Sequence, residues 1–216
     1  MLLLFKLPDS ILPNMPQIKD LQNLCFNLYF IMKIMSVIIL EALNKIPASV
    51  IYYRQILQKD ATNIESIACI AVNYFYNDQP EIALRFYRRL LQMGLYNAEL
   101  FNNLGLCCFY CQQYDMSVSC FERALSLAVD VTAADVWFNI GNVFIALGDL
   151  KLASQCFRLA VSVDANHAPA YNNLGVLDHK YGNISQARTF FQAAASIAPH
   201  LYEADYNNAL ISHDVS

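Results

Sequence analysis

Cys107, Cys108 and Cys111 stand close together in the sequence, a grouping that could begin a metal site. A structural zinc site needs four ligands, normally two spaced pairs of Cys or His. No second pair follows at such spacing, and His167, His179, His200 and His213 are scattered along the chain. The chain has 7 cysteines, an odd number that does not suggest a disulfide framework. Most of them (Cys69, Cys107, Cys108, Cys120, Cys156) lie inside apolar runs, where a thiol serves as a small hydrophobe. The expectation is buried free thiols in a reducing compartment. A phosphate-cradling glycine loop, a His-Glu-x-x-His pair and a nucleophile motif are all missing from the sequence. It therefore predicts no enzyme, no cofactor and no metal.

The elements that carry the remaining side chains follow from composition and repetition. Of 216 residues, 56% are hydrophobic and 15% charged, with a net charge of −4. An average soluble domain is about 25% charged, and a disordered tail would reverse this balance. The acidic balance also gives no support to nucleic-acid binding, which favours a basic excess. Mean hydropathy is +0.31, high for a soluble chain.

Phe101-Asn102-Asn103-Leu104-Gly105 aligns with Trp137-Phe138-Asn139-Ile140-Gly141 and Tyr171-Asn172-Asn173-Leu174-Gly175, at intervals of 36 and 34 residues. Each unit continues with a small residue (Ser117, Ala153, Ala187), a phenylalanine (Phe121, Phe157, Phe191) and an alanine (Ala124, Ala160, Ala194). Ile67, Ile70, Ala71, Tyr74, Ala83 and Tyr87 keep the same phase one unit earlier, and Tyr53, Ile56 and Leu57 form a fainter copy. An aromatic, a large apolar residue and a small one, then small–aromatic–small on about 34 residues, is the tetratricopeptide-repeat pattern. Small residues sit where two helices cross closely, and large ones fill the gaps. The predicted fold is an all-α superhelical solenoid of antiparallel helix pairs, in which neighbours cover what one pair leaves open.

The spacing predicts helix pairs at 64–77 with 80–93, 98–111 with 114–128, 133–147 with 150–163, and 168–181 with 184–197, after a helix over 48–59. Gly148 and Gly182 mark turns inside the units. The expected organisation is an atypical apolar segment over 1–45, repeats over 46–200, and the start of a further repeat helix over 201–216, cut short or covered by another protein. Leu24 to Leu40 is strongly apolar but carries Lys33 near its middle. A membrane span needs about 20 apolar residues and disfavours such a charge. A buried or partner-covered helix is preferred there; a membrane anchor and an artefact of gene prediction stay open.

In such a solenoid the first helix of each pair lines an inner groove. There the sequence places an acidic column (Glu65, Glu99, Asp135, then Pro169 and Glu203) and an asparagine column (Asn103, Asn139, Asn173, Asn207). Phe75-Tyr76, Phe109-Tyr110, Ile145-Ala146 and His179-Lys180 mark the far ends of these helices. A clamp for a peptide carboxylate needs Lys and Arg in these columns, and Lys180 is the one cation among them. The asparagines could instead hydrogen-bond an extended peptide, or be satisfied internally by their neighbours. The four aromatics could anchor a partner or fill the core. Arg85, Arg88 and Arg89 form a candidate basic patch on an outer helix, either for an acidic partner or lipid head groups or simply solvated.

Several stretches go beyond the general repeat pattern: Asp78-Gln79-Pro80-Glu81-Ile82-Ala83-Leu84-Arg85-Phe86-Tyr87-Arg88-Arg89, Leu100 through Tyr110, Phe121 through Ala128, Ala134-Asp135-Val136-Trp137, Cys156-Phe157-Arg158-Leu159-Ala160 and Ala198-Pro199-His200. Over about residues 50–212 these resemble the tetratricopeptide-repeat proteins of the Bardet–Biedl syndrome group. Residues 1–45 do not share the resemblance, and the family is longer at both ends, so a partial or truncated form is expected. The resemblance implies a scaffold subunit of the BBSome in cytoplasm, cilium and basal body. Its partners would be other Bardet–Biedl proteins and, indirectly, ciliary membrane-protein cargo, with at most peripheral membrane contact. The alternative is a membrane-anchored or cytosolic peptide-binding adaptor unrelated to cilia.

Overall fold

The computed structural model describes residues 46–129 and 131–214. Among them are ten α-helices and no strand: α1 (Ile46–Lys59), α2 (Ile64–Tyr76), α3 (Pro80–Gln92), α4 (Ala98–Tyr110), α5 (Tyr114–Leu127), α6 (Val131–Leu147), α7 (Leu150–Val163), α8 (Ala168–Lys180), α9 (Ile184–Ile197) and α10 (Tyr202–Asp214). The expected helix ends agree to within two residues. The expectations for residues 1–45 lie outside the described residues.

The described residues fall into two compact units, within 46–70 and 71–214. In the first, Val50, Tyr53 and Ile56 form the buried stripe of α1, and Ile67 and Ile70 are buried in α2. Asp60 turns the chain between them: its Oδ1 accepts from the Thr62 N–H at 2.9 Å and from the Thr62 hydroxyl at 2.7 Å, which holds its carboxyl below the usual range. Asn63 Oδ1 then accepts from the Ser66 N–H at 2.8 Å and caps α2.

The second unit is a stack of antiparallel pairs, α4 with α5, α6 with α7 and α8 with α9, preceded by α3 and followed by α10. Each pair closes on one contact. Gly105, Gly141 and Gly175 lie under the rings of Phe121, Phe157 and Phe191, so close that an added Cβ would stand 2.6, 2.5 and 2.6 Å from ring Cε1. The three rings are fully buried. Beside them Ser117, Ala153 and Ala187 are also buried, and the Ser117 hydroxyl donates to the Gly105 carbonyl at 2.8 Å. These are the columns of small and aromatic residues read from the sequence, now opposed across one helix pair.

The turn inside each unit is also repeated. Asp78, Gln112, Gly148 and Gly182 occupy one column with φ of 55°, 59°, 84° and 81°. At Gln112 the N–H reaches the Phe109 carbonyl while Gln113 N–H reaches Cys108. Gly182 and Asn183 repeat this with His179 and Asp178, the paired bonds of a Schellman close. Glycine adopts this backbone without strain; other residues lose about 1–2 kcal/mol.

We therefore expect Gln112→Gly to raise folding stability by about 0.5–1 kcal/mol, since strain relief exceeds the added unfolded-state entropy. Gly141→Ala, which drives a methyl into the Phe157 ring, should lower it by about 1–3 kcal/mol. Urea titration followed by circular dichroism measures both, and a Gln112→Gly protein no more stable than the parent would contradict the first.

Candidate partner-binding surfaces

The first helices of the 71–214 unit are tied to one another by side-chain amides. Asn139 Nδ2 donates to Asn102 Oδ1 at 2.9 Å, Asn173 Nδ2 to Asn142 Oδ1 at 3.1 Å, and Asn207 Nδ2 to Asn172 Oδ1 at 3.0 Å. The donors share one repeat position, whereas the acceptors do not. Where Asn102 and Asn172 stand, the middle unit has Phe138, which packs on Phe157 and His167 at ring separations of 5.6 and 5.1 Å. The acceptor role moves one turn onward, to Asn142. Each bond uses one of two amide hydrogens, and the column asparagines, including Asn103 one unit earlier, are half-buried.

A second tie joins the acidic column to the stack. His167, 7% exposed, accepts the Ala170 N–H on Nδ1 at 3.1 Å, and its Nε2 lies 3.3 Å from Asp135 Oδ1. With Nδ1 accepting, the proton sits on Nε2 and points to Asp135. His167 thus caps α8 and reaches back to α6. Sequence reading counted His167 only among the scattered histidines; Pro169 in the first turn is the readable sign of a helix start here.

The four candidate aromatics form one continuous run. Phe75 meets Tyr76 at 5.6 Å and Tyr110 at 5.2 Å edge-on, Phe109 meets Tyr110 at 5.3 Å, and Tyr114 follows at 5.9 Å. Phe75 and Phe109 are half-buried, while Tyr76 and Tyr110 are 80% and 61% exposed. Arg85, Arg88 and Arg89 share one face of α3, opposite the buried Ala83, Tyr87 and Leu90; Arg85 and Arg88 are exposed and Arg89 half-buried.

Sorting charges by helix exposes a pattern that reading along the chain missed. Within 71–214 the second helices (α3, α5, α7, α9) carry Arg85, Arg88, Arg89, Arg123, Lys151, Arg158 and Arg188 against Glu81, Asp115 and Glu122. The first helices (α4, α6, α8, α10) carry Glu99, Asp135, Asp178, Glu203, Asp205 and Asp214 against Lys180. A cleft of about 300 Å³, lined by Phe101, Asp115, Met116, Ser119 and Cys120, also escaped sequence reading.

The described cysteines are free thiols, and among the described residues no group of three or more His, Cys, Asp or Glu is placed to hold a metal. Burial pushes the Cys107 thiol from an ordinary 9.0 up to about 12, with smaller contributions from neighbouring Cys111, Cys108 and Cys120. Cys120 and Cys156 rise to about 11, chiefly for the same reason. No helix of the described residues is long and apolar enough to cross a membrane, and residues 24–40 lie outside them.

A tetratricopeptide repeat profile matches residues 96–166 and a second matches residues 168–201. The chain is 56% identical over 175 residues to Tetratricopeptide repeat protein 8 of Mus musculus, covering 81% of this chain and 34% of that protein. The Homo sapiens protein of the same name is 58% identical over 175 residues, covering 81% and 32%. The Caenorhabditis elegans one is 45% identical over 120 residues, covering 56% and 24%. The chain thus spans about a third or less of the length of these curated relatives. Among solved structures, a thermophilic tetratricopeptide protein of Thermus thermophilus superposes with a TM-score of 0.69 at 15% identity, covering 83% of this chain and 96% of that one. Pseudomonas aeruginosa pilF superposes at 0.67 and 17% identity, covering 85% and 89%. At such identities the likeness is one of fold.

The raised thiols carry a pH signature. Because they ionise at higher pH folded than unfolded, their contribution to stability is complete below about pH 9 and is lost as pH rises through about 11 to 12. Iodoacetamide at neutral pH should label Cys107 and Cys156 far more slowly in the native chain than in urea; equal rates read by mass spectrometry would contradict the burial.

Proposed function

We propose that this chain, whose residues 96–166 and 168–201 match tetratricopeptide-repeat profiles, acts as a non-enzymatic scaffold subunit of the BBSome. In that role it supports cilium assembly and the movement of membrane-protein cargo to and from cilia, working in the cytoplasm, at the basal body and in the cilium. The observation that carries the reading is the identity of 56% to Tetratricopeptide repeat protein 8, spread over 81% of the chain. Family resemblance supplies the complex; the geometry suits a scaffold. Helices tied in register by Asn139, Asn173 and Asn207 hold side chains at fixed spacings without reordering on contact, which lowers the entropy lost on binding.

The asparagine column and the run of Phe75, Tyr76, Phe109 and Tyr110 form the proposed inner partner surface. Half-buried aromatics with exposed hydroxyl ends resemble interface anchors, where tyrosine is enriched. The peptide-adaptor alternative without a ciliary complex would use the same surface, and so the partner decides between them.

The experiment is affinity purification of the tagged full chain from ciliated cells. Other Bardet–Biedl proteins should co-purify, and Tyr76→Ala with Tyr110→Ala should reduce their recovery about tenfold, the effect of losing one or two interface anchors. Purification free of any Bardet–Biedl protein sinks the scaffold reading.

A further inference from the structure

The cleft lies between Phe101 of α4 and the Asp115–Cys120 stretch of α5. Phe101 and Met116 supply its apolar walls with Cys120, Ser119 adds a hydroxyl, and Asp115 closes one end. Met116 is 47% exposed, a large apolar side chain left in water. Two cations flank the cleft. The Arg123 guanidinium lies over the Phe101 ring, 6.0 Å from its centroid. Arg88, on α3, is close enough to Cys120 and Cys108 to oppose the rise in their thiol pKa. Among the described residues neither arginine has a carboxylate partner.

We propose that this cleft is a docking site for an acidic amphipathic segment of a partner protein, one apolar side chain entering between Phe101 and Met116 while its Asp or Glu neighbours meet Arg88 and Arg123. An apolar anchor seated among unpaired arginines matches the general make-up of an interface hot spot, in which aromatic, Met and Arg side chains are enriched. The charges on the two helices nearest the arginines lean the same way: α3 and α5 together carry Arg85, Arg88, Arg89 and Arg123 against Glu81, Asp115 and Glu122. Asp115 gives the site polarity, because the acidic flank of the segment must lie at the arginine end. The apolar side chains between the arginines favour a peptide over a bilayer, whose head groups would meet the arginines without covering Phe101 and Met116. The site takes Phe101 from a first helix but none of the aromatic or asparagine residues of the inner partner surface, and it rests on the scaffold reading only in taking the partner to be a protein.

Fluorescence anisotropy of a labelled synthetic peptide, alternating Glu with Leu at helical spacing, tests the site on the full chain. The acidic peptide should bind, its lysine counterpart should not, and added salt should weaken the complex. Arg88→Glu and Met116→Gln should each reduce affinity about tenfold or more, since a like charge or a lost apolar wall then faces the peptide. Arg158→Glu, on the same basic layer but on α7, should change it less than about twofold; circular dichroism checks that all three variants fold. Absence of acidic-peptide binding, preference for the lysine peptide, an equal loss in Arg158→Glu, or capture of phosphatidylserine vesicles in place of the peptide overturns the proposal. None of these outcomes bears on co-purification from cells, so the two readings fail separately.

Discussion

The stack depends on the missing Cβ of three glycines. At Gly105, Gly141 and Gly175 two helices approach until a phenylalanine ring lies flat on bare backbone. The ring fills the space that a side chain would have taken, and it is buried completely because the helices close around it. One such contact per unit sets the distance between the two helices. It also places Ser117, Ala153 and Ala187 at the neighbouring crossing, where anything larger would separate the pair. One unit earlier Ala71 and Tyr87 hold the glycine and phenylalanine positions, and both are buried; the theme tolerates one methyl once the aromatic partner changes.

A stack built from apolar contacts alone would leave the rotation of each unit loosely specified, because hydrophobic contact has little direction. The amide bonds among Asn102, Asn139, Asn142, Asn173, Asn172 and Asn207 and the His167–Asp135 contact supply that direction. Their geometry is specific, and the amides are half-buried, where losing a partner is costly. The change of acceptor at Phe138 shows that the bond itself is retained while its address moves.

The layering of charge follows from this architecture as well. First helices pack on both flanks and leave a narrow polar face, whereas second helices leave a broader one. Exposed Glu99, Asp135 and Asp205 lie on first helices, whereas exposed Arg85, Arg88, Arg123, Lys151 and Arg158 lie on second helices, interspersed with Glu81, Asp115 and Glu122. The cysteines take no part in this surface chemistry. Cys107, Cys108 and Cys156 are buried, which raises their pKa and removes the thiolate that reactivity needs.

Much of this was written in residue size and order. The Phe–Gly, Ala and aromatic columns recur in step along the chain, and size alone decides which residues can stand at a helix crossing, so the helices, their pairing and the turn at Gly148 and Gly182 were legible without coordinates. The positive φ of Asp78 and Gln112 was legible only by alignment to those glycines. Tertiary structure alone decided which amide accepts from Asn139 and which from Asn173, that the rings of Phe75 and Tyr110 meet at a steep angle, and that Phe101, Met116 and Cys120 line a shallow, open cleft near Arg88 and Arg123. Those outcomes depend on rotamers and on the relative rotation of helices distant in sequence. A one-dimensional period records how often a residue type returns, not the direction in which its side chain leaves the backbone.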